Sequence, residues 1–169
     1  MTIFEADSLK FNFKEKIGRV DYIMTSPPSF QENELTIDQK FKGISPFGNT
    51  PEQHTSNLLI FLKKLAVDTG CRLLIAQFTE SDFVKCNKNK ATLFREVGTW
   101  QKRPGSPWST MNDRDVYTIM SKYFRNSENS IFLDPFCGTG VILKCAESLG
   151  MTCYGVDISQ EQLNLCQVS

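Results

Sequence analysis

The chain has 169 residues, 40% of them apolar and 22% charged, with a formal net charge of zero. That is enough for one domain with a full core, and there is no global field to draw it to nucleic acid or an anionic membrane. Six cysteines (71, 86, 137, 145, 153 and 166) include no Cys-x-x-Cys pair, and His54 is the only histidine. A zinc site would need ligands from dispersed positions, and a Ser-His-Asp hydrolase has little support, so no metal is expected.

No apolar stretch is long enough to span a bilayer, and the chain reads as leaderless. Scattered thiols in such a chain point to a reducing, cytosol-like compartment, and thus to a cytoplasmic protein.

The first expected element is a short strand over Thr2–Ala6, ending at Asp7. Residues 20–25 read as a buried strand that two prolines stop, in the run Thr25-Ser26-Pro27-Pro28. Residues 29–54 are polar with scattered Gly and Pro, which suggests a long loop. A helix is expected over Ser56–Val67, broken at Gly70, and a second buried strand over Cys71–Phe78. Within 79–112, residues Thr92–Trp100 are read as helix or strand, followed by a Pro/Gly loop. Lys85 to Arg114 carries seven basic residues against two acidic ones, which by itself describes a solvated loop.

After Asn112 or Asp113 as a cap, Val116, Ile119, Met120 and Tyr123 fall on one helical face. Ser130–Leu133 reads as a strand, Val141–Leu149 as a helix ending at Gly150, and Thr152–Val156 as a strand closing on Asp157. Alternating strands and helices imply an α/β fold: a mostly parallel sheet with helices on both faces.

Two stretches carry chemistry. In Asp134-Pro135-Phe136-Cys137-Gly138-Thr139-Gly140, two glycines let the backbone turn sharply at a helix start, and Asp157 ends the next strand seventeen residues later. Dinucleotide sites share this plan, but their third glycine is replaced here by Leu143, and Asp134 sits badly beside a phosphate. A carboxylate at 134 suits the ammonium of a methionine moiety, and Asp157 suits ribose hydroxyls. The bland alternative is a βαβ turn whose glycines serve geometry alone.

At the other stretch, Ser26 offers a hydroxyl, and the carbonyl beside Pro27 is held by a proline pair that presents no competing amide donors. Two such acceptors can draw an exocyclic base amine toward tetrahedral geometry and free its lone pair without a strong base. Taken alone, Ser-Pro-Pro is also a common turn.

Together these residues resemble the amino-methyltransferases of DNA, in the permuted, beta-like class whose catalytic motif precedes its cofactor motif. The resemblance implies a circularly permuted Rossmann-like methyltransferase fold, with residues 1–169 as one catalytic domain and no separate target-recognition domain. It implies S-adenosylmethionine as cofactor and DNA methylation of the kind found in restriction-modification systems. By this resemblance Ser26, Pro27 and Pro28 are catalytic. Asp134, Phe136, Gly138 and Gly140, with Asp157 and Ile158 at the ribose strand end, hold the cofactor.

Ala6-Asp7-Ser8-Leu9 resembles the family's opening Gly-Asp-Ser-Leu, where Asp7 inherits a contact to the cofactor's adenine amine. Trp100-Gln101-Lys102 resembles a Trp-x-Lys element near the target base, so Trp100, Lys102 and the adjoining Arg103 are expected on the substrate. The Ser-Pro-Pro form points to cytosine N4, with adenine N6 or an RNA base as alternatives. A catalytically silent subunit that binds a partner or nucleic acid is a further alternative.

The chain departs from the family at Ser29, where an aromatic usually follows Pro28. Stacking is worth ~1–3 kcal/mol per base, and Phe30, one place on, or an aromatic from another loop is expected to supply it. Without a recognition domain, sequence reading falls to loops 29–54 and 79–112, to a separate specificity subunit, or to a homodimer.

Overall fold

The computed structural model describes residues 1–28, 47–48, 50–77, 113–124 and 127–167. Five strands form one sheet: β1 (Thr2–Glu5), β2 (Tyr22–Thr25), β3 (Leu73–Ala76), β4 (Ile131–Asp134) and β5 (Thr152–Asp157). Their spatial order is β1-β5-β4-β2-β3, and every adjacent pair is parallel. The five expected strands are all present, shifted at their ends by one or two residues. Their carboxyl ends therefore share one edge, bringing Glu5, Asp157, Asp134, Thr25 and Ala76 to the same side.

Among the described residues, five helices accompany the strands: α1 (Phe13–Lys16), α2 (Pro51–Thr69), α3 (Asp113–Tyr123), α4 (Val141–Ser148) and α5 (Gln160–Gln167). Helix α2 starts five residues before the expected Ser56, inside the stretch read as loop. The cause is local: Thr50 Oγ1 accepts the Gln53 N–H at 3.2 Å, and Pro51 occupies the first turn, where its missing N–H costs nothing. Helices α1 and α5 have no counterpart in the sequence reading. The basic run 85–114 lies outside the described residues except for Asp113 and Arg114, and the Arg114 side chain is exposed.

The chain divides into two compact units. One takes in Met1–Pro27, Leu65–Gln77 and the described residues after 112, and so contains the whole sheet. Its core joins Met24 and Phe132 of the sheet to Val116, Ile119 and Met120 of α3 and to Ile142, Leu143 and Ala146 of α4. The expected apolar face of α3 is the face that packs. Phe124 sets the end of that helix, lying 5.0 Å from the Tyr22 ring and 5.9 Å from the Phe132 ring. At the amino ends of β2 and β4, Asp21 Oδ2 accepts the Ile131 N–H at 3.0 Å. In the other unit, the described residues are Pro28, 47–48 and 50–64, with Leu58, Leu59 and Leu62 buried.

Leu143 occupies the position where a dinucleotide site has its third glycine. Close packing of α4 on the sheet is achieved from the opposite side, by Gly155 of β5. A Cβ at 155 would come within 2.5 Å of Leu143 Cδ1 and 2.8 Å of Cys137 Sγ. Among the described residues, no helix is long and apolar enough to cross a membrane.

Because both neighbours of Gly155 are buried, Gly155→Ala is expected to destabilise the protein by about 1–3 kcal/mol, as overpacking does. Urea denaturation checks this, and the sheet-helix contact predicts an unchanged m-value with a lower midpoint.

Candidate active site

Three strand ends make the centre of the site. Strand β4 lies between β5 and β2. From β4 the chain crosses to β5 on one side, whereas from β2 it crosses to β3 on the other. The strand order therefore reverses between β4 and β2, and in open parallel sheets a crevice for ligands forms outside the carboxyl ends at such a point. Asp134 and Thr25 are the residues found there.

Asp134 is 1% exposed, an unusual place for a carboxyl group. Its Oδ1 accepts two hydrogen bonds, from Thr25 Oγ1 at 2.7 Å and from the Phe136 N–H at 3.0 Å. Its Oδ2 is buried and has no partner. Burial pushes the Asp134 carboxyl up to about 7; the Thr25 and Phe136 hydrogen bonds oppose that rise, and the charge of Asp157 adds to it.

The turn after β4 is shaped by its glycines. Gly138 and Gly140 take φ of 49° and 79°, in the left-handed region that side chains avoid. The space a Cβ would take at Gly140 is filled by Cys166 Sγ of α5, and at Gly138 by Gln162 Oε1, 2.7 Å from that position. These glycines permit the sharp turn, as expected, and in addition make room for α5. The Gly138 N–H donates to Asp157 Oδ2 at 2.8 Å, and Asp157 Oδ1 accepts the Ser159 N–H at 2.9 Å. Asp157, read from sequence only as a ribose acceptor, thus also braces the turn. Ile158 is exposed beside it, and Phe136 is half-buried.

Asp7 follows β1 next to these groups. The Ala6 N–H donates to the Asp157 carbonyl at 2.9 Å, and Asp7 Oδ1 caps its own turn by accepting the Leu9 N–H at 3.0 Å. The Ser8 hydroxyl, buried, donates to the Pro135 carbonyl and ties this turn to the one after β4. Asp7, Asp134, Gly138, Gly140 and Asp157 are therefore brought to one edge of the sheet.

Ser26, half-buried, follows Thr25 directly, and Pro27 is buried. Gln77 stands on the far side of Thr25: its N–H donates to the Thr25 carbonyl at 2.9 Å, and its buried Oε1 has no partner. In the second unit, His54 is fully buried, with Nε2 2.8 Å from the Pro28 carbonyl oxygen. A carbonyl only accepts, so Nε2 carries the proton. The Phe47 ring packs edge-on against the His54 ring, 5.4 Å between centroids.

Phe30, Trp100, Lys102 and Arg103, as well as Ser29, lie outside the described residues. Thr25 and Gln77 were not singled out from sequence as site residues. For Thr25 a signal existed, because a polar side chain at the last position of an apolar strand, next to a functional residue, asks for a partner. Gln77 shows its partner only in the fold. Burial pushes the Cys71 thiol up to about 11 and the Cys153 thiol up to about 12, and raises Cys137 and Cys166. Among the described residues, no group of His, Cys, Asp or Glu is placed to hold a metal ion.

Residues 117–168 match the DNA methylase family, the N6/N4 methyltransferases. No curated protein matches the chain by sequence. Among solved structures, M1.HpyAVI is similar in fold at 13% identity, with a TM-score of 0.62 over 98% of this chain and 96% of that one. The M1.HpyAVI–SAM complex is similar at 13% identity, with a TM-score of 0.59 over 98% and 97% of the two chains. TTHA0409 of Thermus thermophilus, described as a putative DNA modification methylase, aligns at 16% identity over 98% and 92%, with a TM-score of 0.49.

The raised Asp134 carboxyl has a consequence for stability. The native state keeps this proton up to about pH 7, whereas an ordinary carboxyl loses it near 3.8. Between those values the native state binds more protons than the unfolded one, so the contribution falls as pH rises and levels off above pH 7. Asp134→Asn removes that slope. The stability of the variant relative to the parent is expected to rise by about 2 kcal/mol between pH 5 and pH 8. Urea midpoints across that range check it, and a constant difference contradicts it.

Proposed function

We propose that this chain, a DNA amino-methyltransferase by its family match over residues 117–168, transfers the methyl group of S-adenosylmethionine to N4 of cytosine in DNA. The observation that carries the cofactor reading is the bare, buried Oδ2 of Asp134 at the point where the strand order reverses. An acceptor in that position suits a cationic ammonium, and the similarity in fold to a structure solved as a SAM complex supports the same reading.

When bound, S-adenosylmethionine supplies an electrophilic methyl group on a sulfonium. Asp134 is the residue that holds its ammonium through Oδ2. Phe136, Gly138 and Gly140 shape the turn over it, Asp157 and Ile158 take the ribose, and Asp7 takes the adenine amine. The Ser26 hydroxyl and the carbonyl beside Pro27 accept the two N–H bonds of the target amine, which localises the nitrogen lone pair. Pro27 and Pro28 keep that carbonyl rigid. A base in a duplex must first leave the stack, at a cost of a few kcal/mol that falls for single strands.

Phe30, Trp100, Lys102 and Arg103 complete the reading as substrate contacts, with the aromatics stacking on the base and the cations on phosphate. Residues 1–169 act in it as one catalytic domain in the cytoplasm, and the early place of Ser26-Pro27-Pro28 relative to Asp134 is the permuted order. The serine in the catalytic motif favours cytosine N4 over adenine N6.

Labelled methyl transfer from S-adenosylmethionine to DNA and RNA pools, followed by nucleoside analysis, tests the reading. N4-methylcytosine in DNA is expected; N6-methyladenine overturns the base, and label in RNA alone overturns the polymer. Ser26→Ala is expected to keep cofactor affinity and lower turnover by about 100-fold or more. Equal loss of cofactor binding in that variant contradicts the division of labour.

A further inference from the structure

Thr25 is 1% exposed and ends β2 one residue before Ser26. Its hydroxyl donates to Asp134 Oδ1 across the β2–β4 boundary at 2.7 Å. Its carbonyl accepts the Gln77 N–H from the end of β3 at 2.9 Å. Thr25 is therefore bonded on both sides, and the Asp134 carboxyl cannot turn without breaking the bonds from Thr25 and from the Phe136 N–H. Both of those bonds fall on Oδ1, which leaves Oδ2 buried, bare and fixed in direction. A carboxyl group held by one oxygen presents the other.

We propose that Thr25 is a positioning residue for cofactor binding, whose hydroxyl clamps Asp134 so that Oδ2 meets the cofactor's ammonium. The clamp also joins the cofactor-binding strand to the strand that carries Ser26. This inference rests on the S-adenosylmethionine reading given above.

The clamp has an electrostatic signature that a merely space-filling threonine lacks. A hydroxyl that donates to the carboxylate favours its ionised form, and the Phe136 N–H acts the same way. Opposing them are burial and, from β5, the charge of Asp157. The Cys137 and Cys166 thiols, from the turn and from α5, are raised by burial and bring no charge at neutral pH. Binding of an ammonium requires the ionised carboxyl, so affinity rises with pH and a proton leaves as the complex forms. Without the Thr25 hydroxyl the carboxyl ionises at higher pH, and the binding curve moves up with it. The cofactor's own ammonium titrates identically in every variant and does not contribute to the shift.

Calorimetric titration with S-adenosylmethionine between pH 6 and 8.5, in two buffers of different ionisation heat, reads both affinity and proton release. Thr25→Val is nearly isosteric and lacks the hydroxyl; Thr25→Ser keeps it. Thr25→Val is expected to bind about tenfold or more weakly at pH 7, with its curve displaced upward, and Thr25→Ser to restore both. If Thr25→Val does not fold, Thr25→Ala is read the same way. A curve unmoved in the variant lacking the hydroxyl overturns the proposal, even if affinity falls, and so does failure of Thr25→Ser to restore it. No binding by the parent chain overturns the cofactor reading itself, and this inference with it.

Discussion

A carboxyl group buried at the carboxyl end of the middle strand is the constraint around which this fold is organised. In a low-dielectric interior an unsatisfied charge is not tolerated; the group either finds donors or keeps its proton. Asp134 does some of each. Two donors converge on Oδ1, Oδ2 has none, and burial holds the group near the edge of ionisation at neutral pH. The neighbouring strands follow from that requirement. Strand β2 must end in a hydroxyl at Thr25, and the turn after β4 must place the Phe136 N–H over the same oxygen.

Glycine placement shows the same economy of space around Asp134. The turn at 138–140 needs left-handed backbone, and α5 then fills the room that absent side chains leave, with Cys166 against Gly140. Close contact between α4 and the sheet is secured at Gly155, on the strand, so that Leu143 can be a bulky core residue on the helix. A dinucleotide site makes the opposite choice and puts its glycine on the helix. Both solutions bring a helix onto a strand; only the one seen here leaves a carboxylate, Asp134, at the head of the turn.

Much of this was legible in the sequence. The five strands were visible because each is a short apolar run, four of them closed by a breaker or an acidic residue and β3 preceded by Gly70, and α3 because its apolar spacing is clean. Helix α5 was missed since, among its described side chains, only Leu163 and Cys166 are buried, too few to mark a period. The four-residue α1 has no room for one. The start of α2 was missed although Thr50, Pro51 and Gln53 are a helix-start pattern, outweighed by the polar stretch before them. Strand order is a different matter. Local pattern says that Val20–Thr25 and Ile131–Asp134 are strands but not that they are neighbours, and the Thr25–Asp134 bond, 109 residues apart in the chain, exists only because they are. For the same reason the bare oxygen of Asp134 and that of Gln77 had no sequence signal.

In the proposed reading, cofactor binding depends on the state of one carboxyl group, which also joins the two central strands. Carbon-13 NMR of the Asp134 side-chain carboxyl, followed across pH without and with S-adenosylmethionine, reads that state directly. A midpoint near 7 is expected without the cofactor, and a carboxylate that stays ionised well below that pH when the cofactor is bound. A midpoint in the ordinary carboxylate range without the cofactor, or a raised one that the cofactor leaves in place, contradicts this.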